Sequence, residues 1–500
     1  MRNTSNGSLN ILSYYTLRYD EDLLHINSAF AITQIMTLRL FNSLGRTKET
    51  FVPKNKDEVK VYCCGPTVYD YAHIGNLRTF LFEDVLRRYL EYKGHNVKFV
   101  MNITDVDDKT INSSKKNNVT LQDYTNRFIE EFFKDLKSLN IKTATLYPKA
   151  TEYIEDIENH IIELQKKDYC YESNGSYYFS INKFSEYGKL SGLEINKTDK
   201  KTRLNEDEYT KDNPQDFALW KAWDNDDGDV YWTGKLGKGR PGWHIECSVM
   251  STKILGDEID IHAGGVDLIF PHHENEIAQS EPLTNKQFVK YWIHAEHLIV
   301  EGKKMSKSEG NFFTLRDLLE KGHDAKHIRF LLISSHYRSQ LNFTFDGINQ
   351  AKENIDRIQE TYSKIIDCKT KNGRNSDLSK ITKEAKIEFE NAMDDDLDMP
   401  VALASIFGFV REINKYLDKE QILEENKLEI TEYFELINKI LGVLSNETIE
   451  FDDEIKMLVA ERDEARNTKD WKKSDEIRKE LSRRGYTVED TEKGTRIKRS

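Results

Sequence analysis

Residues 59 to 103 constrain the fold more than any other stretch. Val59 to Gly65 alternates in the manner of a strand, and Val97 to Ile103 is a second apolar strand. Between them Leu77 to Lys93 puts Leu77, Phe80, Leu81, Val85, Tyr89 and Leu90 on one helical face, and Gly94 ends the helix. A strand, a helix and a second strand in this order predict a parallel pair joined by a right-handed crossover. Such sheets bind ligands at the carboxyl ends of their strands, and the turn holding His73-Ile74-Gly75-Asn76 falls there.

The chain has 500 residues, too many for a single hydrophobic core, so several domains are expected. Its 38% hydrophobic and 32% charged content reads as globular and well solvated. A formal charge of -13 argues against non-specific coating of nucleic acid, which needs many cationic contacts to phosphate. The last ten residues are locally basic, with Lys493, Arg496, Lys498 and Arg499 against Glu492 alone. Five scattered cysteines do not make a disulfide framework and fit a reducing, cytoplasmic compartment. No apolar run is long enough to span a bilayer, so no membrane association is expected.

Met36 opens a pattern resembling a natural start, so residues 1–35 read as an appended or mis-assigned leader. The expected fold class is α/β: a Rossmann-like nucleotide-binding core with a parallel sheet and an insertion, then a helical bundle and a small mixed α/β domain. Residues 36–114 form the first half of the core and 115–240 a connective insertion. That insertion holds helices near 121–139 and 151–167, a hairpin around Ser173-Asn174-Gly175, and an almost wholly polar stretch from 194 to 216. Residues 241–300 complete the core, with a strand from Ile254 to His262. Residues 301–345 form a lysine-bearing loop and a connecting region, where Thr314 and Asp317 read as a capping box. Residues 346–450 are helical by periodicity, and 451–500 hold two helices and a strand pair.

Four groups of residues carry chemistry. His73 and Gly75 at a helix start offer a phosphate donor and a place of close approach, aided by the helix N-terminus. Lys304-Met305-Ser306-Lys307-Ser308 lies between Gly302 and Gly310, and its two ammonium groups can close on a triphosphate. Gly264, Gly265 and Asp267, at a strand end, suit a ribose and adenine. Cysteines 63, 64 and 247 with His272, His273 and Glu276 provide a sulfur, nitrogen and oxygen set suited to zinc. Pro271 suits the first helical position, which puts His272 and Glu276 one turn apart. Spacing does not choose between Cys63 and Cys64, or between His272 and His273.

Both ATP-handling strings resemble those of class I aminoacyl-tRNA synthetases. Tyr62 to Asp70, Asn102-Ile103-Thr104-Asp105, Pro241 to Ser248, and Phe270 to Glu276 together resemble the cysteinyl-tRNA synthetase family, over essentially Met36 to the C-terminus. The resemblance implies zinc ligands at Cys64, Cys247, His272 and Glu276. It implies a cysteine pocket at Gly65, Thr67, Thr104, Trp243 and His262. ATP contacts fall on His73, Gly75, Asn76, Gly264, Gly265, Asp267, Lys304, Ser306 and Lys307, of which His73, Gly75, Lys304 and Lys307 are catalytic. Asn76 stands where many class I members carry a second histidine. The implied partners are ATP with magnesium, L-cysteine and tRNA(Cys), bound by a monomer, with the tRNA contacted at its stem by 301–345, held by the bundle 346–450 and read at its anticodon by 451–500.

A zinc ion gives such a site its selectivity, because it takes a thiolate readily and an alcohol poorly. A purely apolar pocket would separate the near-isosteric serine only by about a hundredfold, so no editing domain is expected. One competing reading keeps the adenylating core but passes cysteine to an amino sugar, and residues 346–500 disfavour it. Another is a zinc-containing RNA-binding protein with an inactive nucleotide fold, against which His73, Lys304 and Lys307 argue.

Overall fold

The computed structural model describes residues 37–193, 215–445, 453–491 and 494–499. The expected leader and most of the polar stretch 194–216 lie outside them. The chain divides into two compact units, residues 1–443 and 444–500.

The centre of the first unit is β1 (Val59–Cys63), α1 (Ile74–Tyr92), β2 (Val97–Met101), α2 (Trp243–Leu255), β3 (Ile259–Gly265), α3 (Glu274–Thr284) and β4 (Val289–Ala295). The four strands form one parallel sheet in the order β4-β3-β1-β2. Helices cover both faces, so alternation gives way to near-continuous burial: Ile259, Asp260, Ile261, His262 and Ala263 are enclosed in succession. From β1 the chain steps outward to β2, then re-enters on the other side of β1. The crevice between the carboxyl ends of β1 and β3 is therefore the topological switch point. There His262 lies beside Tyr62 and Ala263 beside Cys63, and the Cys64 N–H donates to the Ala263 carbonyl at 3.2 Å. This is the Rossmann-like α/β core expected from the sequence.

One strand moves. Ile254 and Leu255 belong to α2, which Gly256 ends with φ +87°, and the strand begins at Ile259. Two apolar residues closing a helix have the same local signature as the start of a buried strand.

The insertion contains helices Leu121–Ser138 and Ile154–Lys166. Its hairpin pairs Cys170–Ser173 with Ser176–Phe179 through Asn174 and Gly175, at φ +52° and +79°. The hairpin forms one side of a five-stranded antiparallel sheet that continues through Phe217–Ala222, Gly237–Pro241 and Trp232–Gly234. Ile157, Ile161, Phe179, Leu219 and Trp220 share a core with Ile245 and Val249 of α2, so the insertion braces the helix that carries Cys247.

Thr314 and Asp317 form the expected reciprocal cap of helix Leu315–Glu320. Helices Phe345–Asp367, Ser376–Asp394, Met399–Asp418 and Glu424–Leu441 follow. Arg329 is fully buried and joins the parts of this unit: it donates to Asp84 of α1 at 2.7 Å, to the Leu139 carbonyl at 2.9 Å and to the Leu441 carbonyl at 2.5 Å.

The second unit has helices Asp453–Asn467 and Trp471–Arg483 and the antiparallel pair Tyr486–Thr491 with Gly494–Arg499. Ile455, Ile477, Leu481 and Val488 make its core. Among the described residues no helix is long and apolar enough to cross a membrane.

Candidate active site and metal centre

The pleat of β1 separates the two adjacent cysteines. Cys63 packs toward Glu83 of α1, whose carboxylate adds to burial in pushing that thiol up. Cys64 emerges at the switch point. Its sulfur lies 4.0 Å from Cys247 Sγ of α2 and 3.9 Å from Glu276 Oε1 of α3. His272 Nε2 lies 3.2 Å from the same oxygen. Phe270 is extended (φ −139°, ψ 131°), so the helical path restarts at Pro271 and turns His272 and Glu276 inward together.

Cys64, Cys247, His272 and Glu276 present one donor atom each within 4.8 Å of one another, and all four are buried. A tetrahedral zinc site with arms of about 2.3 Å to sulfur and about 2.0–2.1 Å to nitrogen or oxygen has edges of about 3.8 and 3.3 Å. The observed sulfur–sulfur and nitrogen–oxygen edges of 4.0 and 3.2 Å fit it. A second set shares two members: Cys64, His262, His273 and Glu276. It has one sulfur where the first has two, so the first suits a thiophilic dication better.

The surrounding contacts hold these ligands. His244 and His272 share a hydrogen bond between their Nδ1 atoms at 2.9 Å, which turns His272 Nε2 toward the centre. His262 holds the other Glu276 oxygen at 2.9 Å. Burial depresses His244 and His294 to about 3, so both are neutral. Burial also raises the Cys64 thiol, and the Cys247 sulfur adds to it. Burial raises the Glu276 carboxyl as well, so without a cation the anionic forms of Cys64 and Glu276 are disfavoured, and a bound dication would reverse that balance.

Beside the cluster, Trp243 stacks on His272 at 4.4 Å and is 42% exposed, the face of the cluster open to solvent. The ends of β1 and β2 meet where the Gly65 N–H donates to Asn102 Oδ1 at 2.9 Å and Asn102 Nδ2 donates to Thr104 Oγ1 at 3.2 Å. Thr67 bridges Thr104 through the backbone. A Cβ on Gly65 would fall 1.8 Å from the Asn102 carbonyl oxygen, so only glycine permits this approach.

The second group assembles around the α1 N-terminus. His73 Nδ1 accepts from the Asn76 N–H at 3.1 Å, and Asn76 Oδ1 accepts from the His73 N–H at 3.2 Å. Burial lowers His73, against the pull of Asp267. With Nδ1 accepting, the neutral ring carries its proton on Nε2. A Cβ on Gly75 would lie 2.9 Å from the His73 ring and 3.3 Å from Met305 Cε, so this glycine lets the two signatures meet. Ile74 donates to the Phe313 carbonyl at 2.9 Å. Gly265 lies against Asp267, where a Cβ would be 2.4 Å from Oδ1, and a Cβ on Gly264 would meet Leu268 and His273.

Of the lysine loop, Ser306 donates through its N–H to Asn311 Oδ1 at 2.8 Å. The Lys304 side chain is exposed, whereas Lys307 Nζ pairs with Asp70 Oδ2 at 2.6 Å. The structure thus brings Cys64, Cys247, His272 and Glu276 into one group and His73, Gly75, Asn76, Met305 and Lys307 into a second, while Lys304 is exposed.

Comparison with known proteins settles the family. Residues 50–353 match the family described as "tRNA synthetases class I (C) catalytic domain", residues 388–445 the DALR domain, and residues 448–497 the "Cysteinyl-tRNA ligase anticodon binding domain". The cysteine–tRNA ligase of Brachyspira hyodysenteriae is 48% identical over 469 residues, 92% of this chain and 98% of that protein. The chain belongs to the cysteinyl-tRNA synthetase family. The Chlamydia abortus cysteine–tRNA ligase is 47% identical over 466 residues, again 92% of this chain and 98% of that protein. Mycobacterium tuberculosis methionyl-tRNA synthetase, solved with methionyl-adenylate, shares the fold at TM-score 0.55 and 13% identity, over 77% of this chain and 90% of that one.

Sequence reasoning missed several residues of this synthetase's site. Glu274 is fully buried, and its carboxylate accepts from the backbone N–H groups of Gly188, Leu190 and Ser191 at 2.9, 3.1 and 2.8 Å, tying the insertion to α3. His244 and Asp70 lie inside the motifs that carry the family resemblance, yet spacing gives neither a task. Asn102 lies in another of those motifs, and nothing in its local sequence signals a bridge between strand ends.

Proposed function

We propose that the chain is a cysteine–tRNA ligase that activates L-cysteine with ATP and transfers it to tRNA(Cys). The cysteine carboxylate attacks the α-phosphate of ATP, the α–β phosphoanhydride breaks, and pyrophosphate leaves with its charge on the departing oxygen. The 3'-terminal ribose hydroxyl of the tRNA then attacks the carbonyl of cysteinyl-adenylate and AMP leaves.

No protein nucleophile is required; the work is positioning and charge stabilisation. His73 Nε2–H and the α1 N-terminus donate to the phosphates, and Lys304 and Lys307 neutralise the charge that develops on the leaving group. Ser306 shapes the lysine loop, the Asn76 side chain completes the helix cap while its backbone N–H holds the His73 tautomer, and Gly264, Gly265 and Asp267 receive the nucleoside. Gly65, Thr67, Thr104, Trp243 and His262 enclose the amino acid. Cys64, Cys247, His272 and Glu276 would hold zinc, a Lewis acid that takes the substrate thiolate and discriminates against serine. Magnesium accompanies ATP. The helices of 346–443 and the unit 444–500 grip the tRNA, and the protein works as a cytoplasmic monomer.

The observation that carries this reading is the two-sulfur donor set at the switch point, adjoining the His73 cap. Pyrophosphate exchange tests it: zinc-loaded protein should exchange label into ATP with cysteine, without tRNA, and at least a thousandfold less efficiently with serine. Equal use of serine, or no exchange, would overturn it.

A further inference from the structure

The lysine loop is seated on the first signature by Met305 against Gly75, by Phe312 edge-on to His73 at 5.3 Å, and by the Phe313 carbonyl on Ile74. It is also held by an ion pair that neither the signatures nor the family comparison assigns: Lys307 Nζ on Asp70 Oδ2 at 2.6 Å, across 237 residues. The other Asp70 oxygen accepts from the Tyr71 N–H at 2.8 Å, so the turn itself aims the carboxylate. The ammonium also lies 4.9 Å from the Phe312 ring centre. Gly302 and Gly310, at φ +74° and +69°, bracket the loop at positions that permit a change of path.

We propose that Asp70 is a positioning residue that keeps Lys307 paired between turnovers and surrenders it to the triphosphate. The inference rests on the reading that Lys307 contacts ATP. An ammonium without a counter-ion would sample many rotamers; the Asp70 carboxylate parks it beside the phosphate site. ATP, with its larger charge, displaces the carboxylate, and Asp70 recaptures the ammonium as pyrophosphate departs. Asp70 therefore competes with ATP and weakens its binding. The Lys307 side chain is 64% exposed and that of Asp70 34%, so the competition is modest, roughly twofold to fivefold in ATP affinity.

The test uses the full chain. Asp70→Asn keeps the acceptor for the Tyr71 N–H and removes the charge. Its equilibrium affinity for ATP without cysteine, and its KM for ATP in exchange, should improve twofold to fivefold, with kcat no higher. Asp70→Glu should restore the wild-type affinity, and the gain should disappear at 1 M salt. In a Lys307→Ala background Asp70→Asn should leave ATP affinity unchanged. Unchanged or weaker ATP binding in Asp70→Asn at a native melting temperature overturns the proposal, as does a gain that persists without Lys307. If Asp70→Asn does not fold, Asp70→Ser is judged by the same outcomes. Exchange that survives Lys307→Ala intact instead refutes the ATP assignment itself.

Discussion

Two overlapping donor sets share Cys64 and Glu276, and the sulfur count separates them. The first adds Cys247 and His272, the second His262 and His273. Zinc bound by four ligands in small sites is worth about 10–16 kcal/mol, or roughly 2.5–4 kcal/mol per ligand. Loss of one ligand should therefore weaken zinc by about a hundredfold to a thousandfold. Cys247 and Cys64 sulfurs stand at a tetrahedral edge of 4.0 Å, so Cys247→Ser should suffer that loss, read by competition with a zinc chelator. Cobalt substitution gives a second readout, because thiolate-to-cobalt absorption scales with the number of sulfur ligands. Cys247→Ser should halve it. His273→Asn, which removes a neighbour 3.3 Å from Cys64 Sγ, should leave both sulfurs bound. An undiminished band in Cys247→Ser, or loss of metal in His273→Asn alone, would refute the assignment to the first set.

Three further outcomes follow from the packing. Gly65→Ala puts a Cβ 1.8 Å from the Asn102 carbonyl oxygen; a shift of about 1 Å beside reacting groups costs about a hundredfold in rate, so exchange should fall at least that far, and near-native exchange would contradict so close an approach of the strand ends. Arg329→Met leaves Asp84 without its fully buried partner, and such losses cost about 3–5 kcal/mol, to be read by chemical denaturation; a change below about 1 kcal/mol would show that Arg88, whose Nε pairs with the same Asp84 oxygen at 2.7 Å, suffices. Asp135 is 4% exposed, and burial, outweighing Arg316 at 3.0 Å, raises its carboxyl from 3.8 to about 6. The folded chain then holds a proton that the unfolded chain gives up, so stability falls as pH rises from about 4 to about 6, by up to about 3 kcal/mol. Asp135→Asn should gain on the wild type across that window, and a difference independent of pH would refute the account.

The parallel core was legible because both of its periodicities are local: alternation over Val59 to Gly65 and a helical stripe from Leu77 to Leu90. The capping box at Thr314 and the Asn174-Gly175 hairpin were legible for the same reason, each being a short-range backbone rule. The sheet of the insertion was not. Phe217–Ala222 is apolar but for Lys221 and buried on both faces, which resembles any short buried segment, and Gly237–Pro241 contains two glycines and a proline, residues that disfavour strands. Those residues form a strand because a neighbour exists on each side: Ala222 pairs with Gly239 and Trp232 with Gly239 from the other edge. Such a partner is invisible in a local window.

The site divides in the same way. Its residue types were legible, since sulfur, imidazole and carboxylate together suit few ions, but the pairing of particular atoms was not. The choice between Cys63 and Cys64 depends on the pleat at the last residue of β1, one position either side of which reverses the side chain. The role of Asn76 shows the converse. It stands where many class I members carry a second histidine, and its bonds here are local: Asn76 Oδ1 accepts from the His73 N–H, and the Asn76 N–H donates to His73 Nδ1. The His73 tautomer is fixed by the backbone N–H of residue 76, which a histidine there would also supply, while the Asn76 side chain adds the reciprocal bond of the capping box to the His73 N–H. On the proposed reading, His73 is the imidazole that this helix start offers the triphosphate, and the lysines of the facing loop meet the rest of its charge.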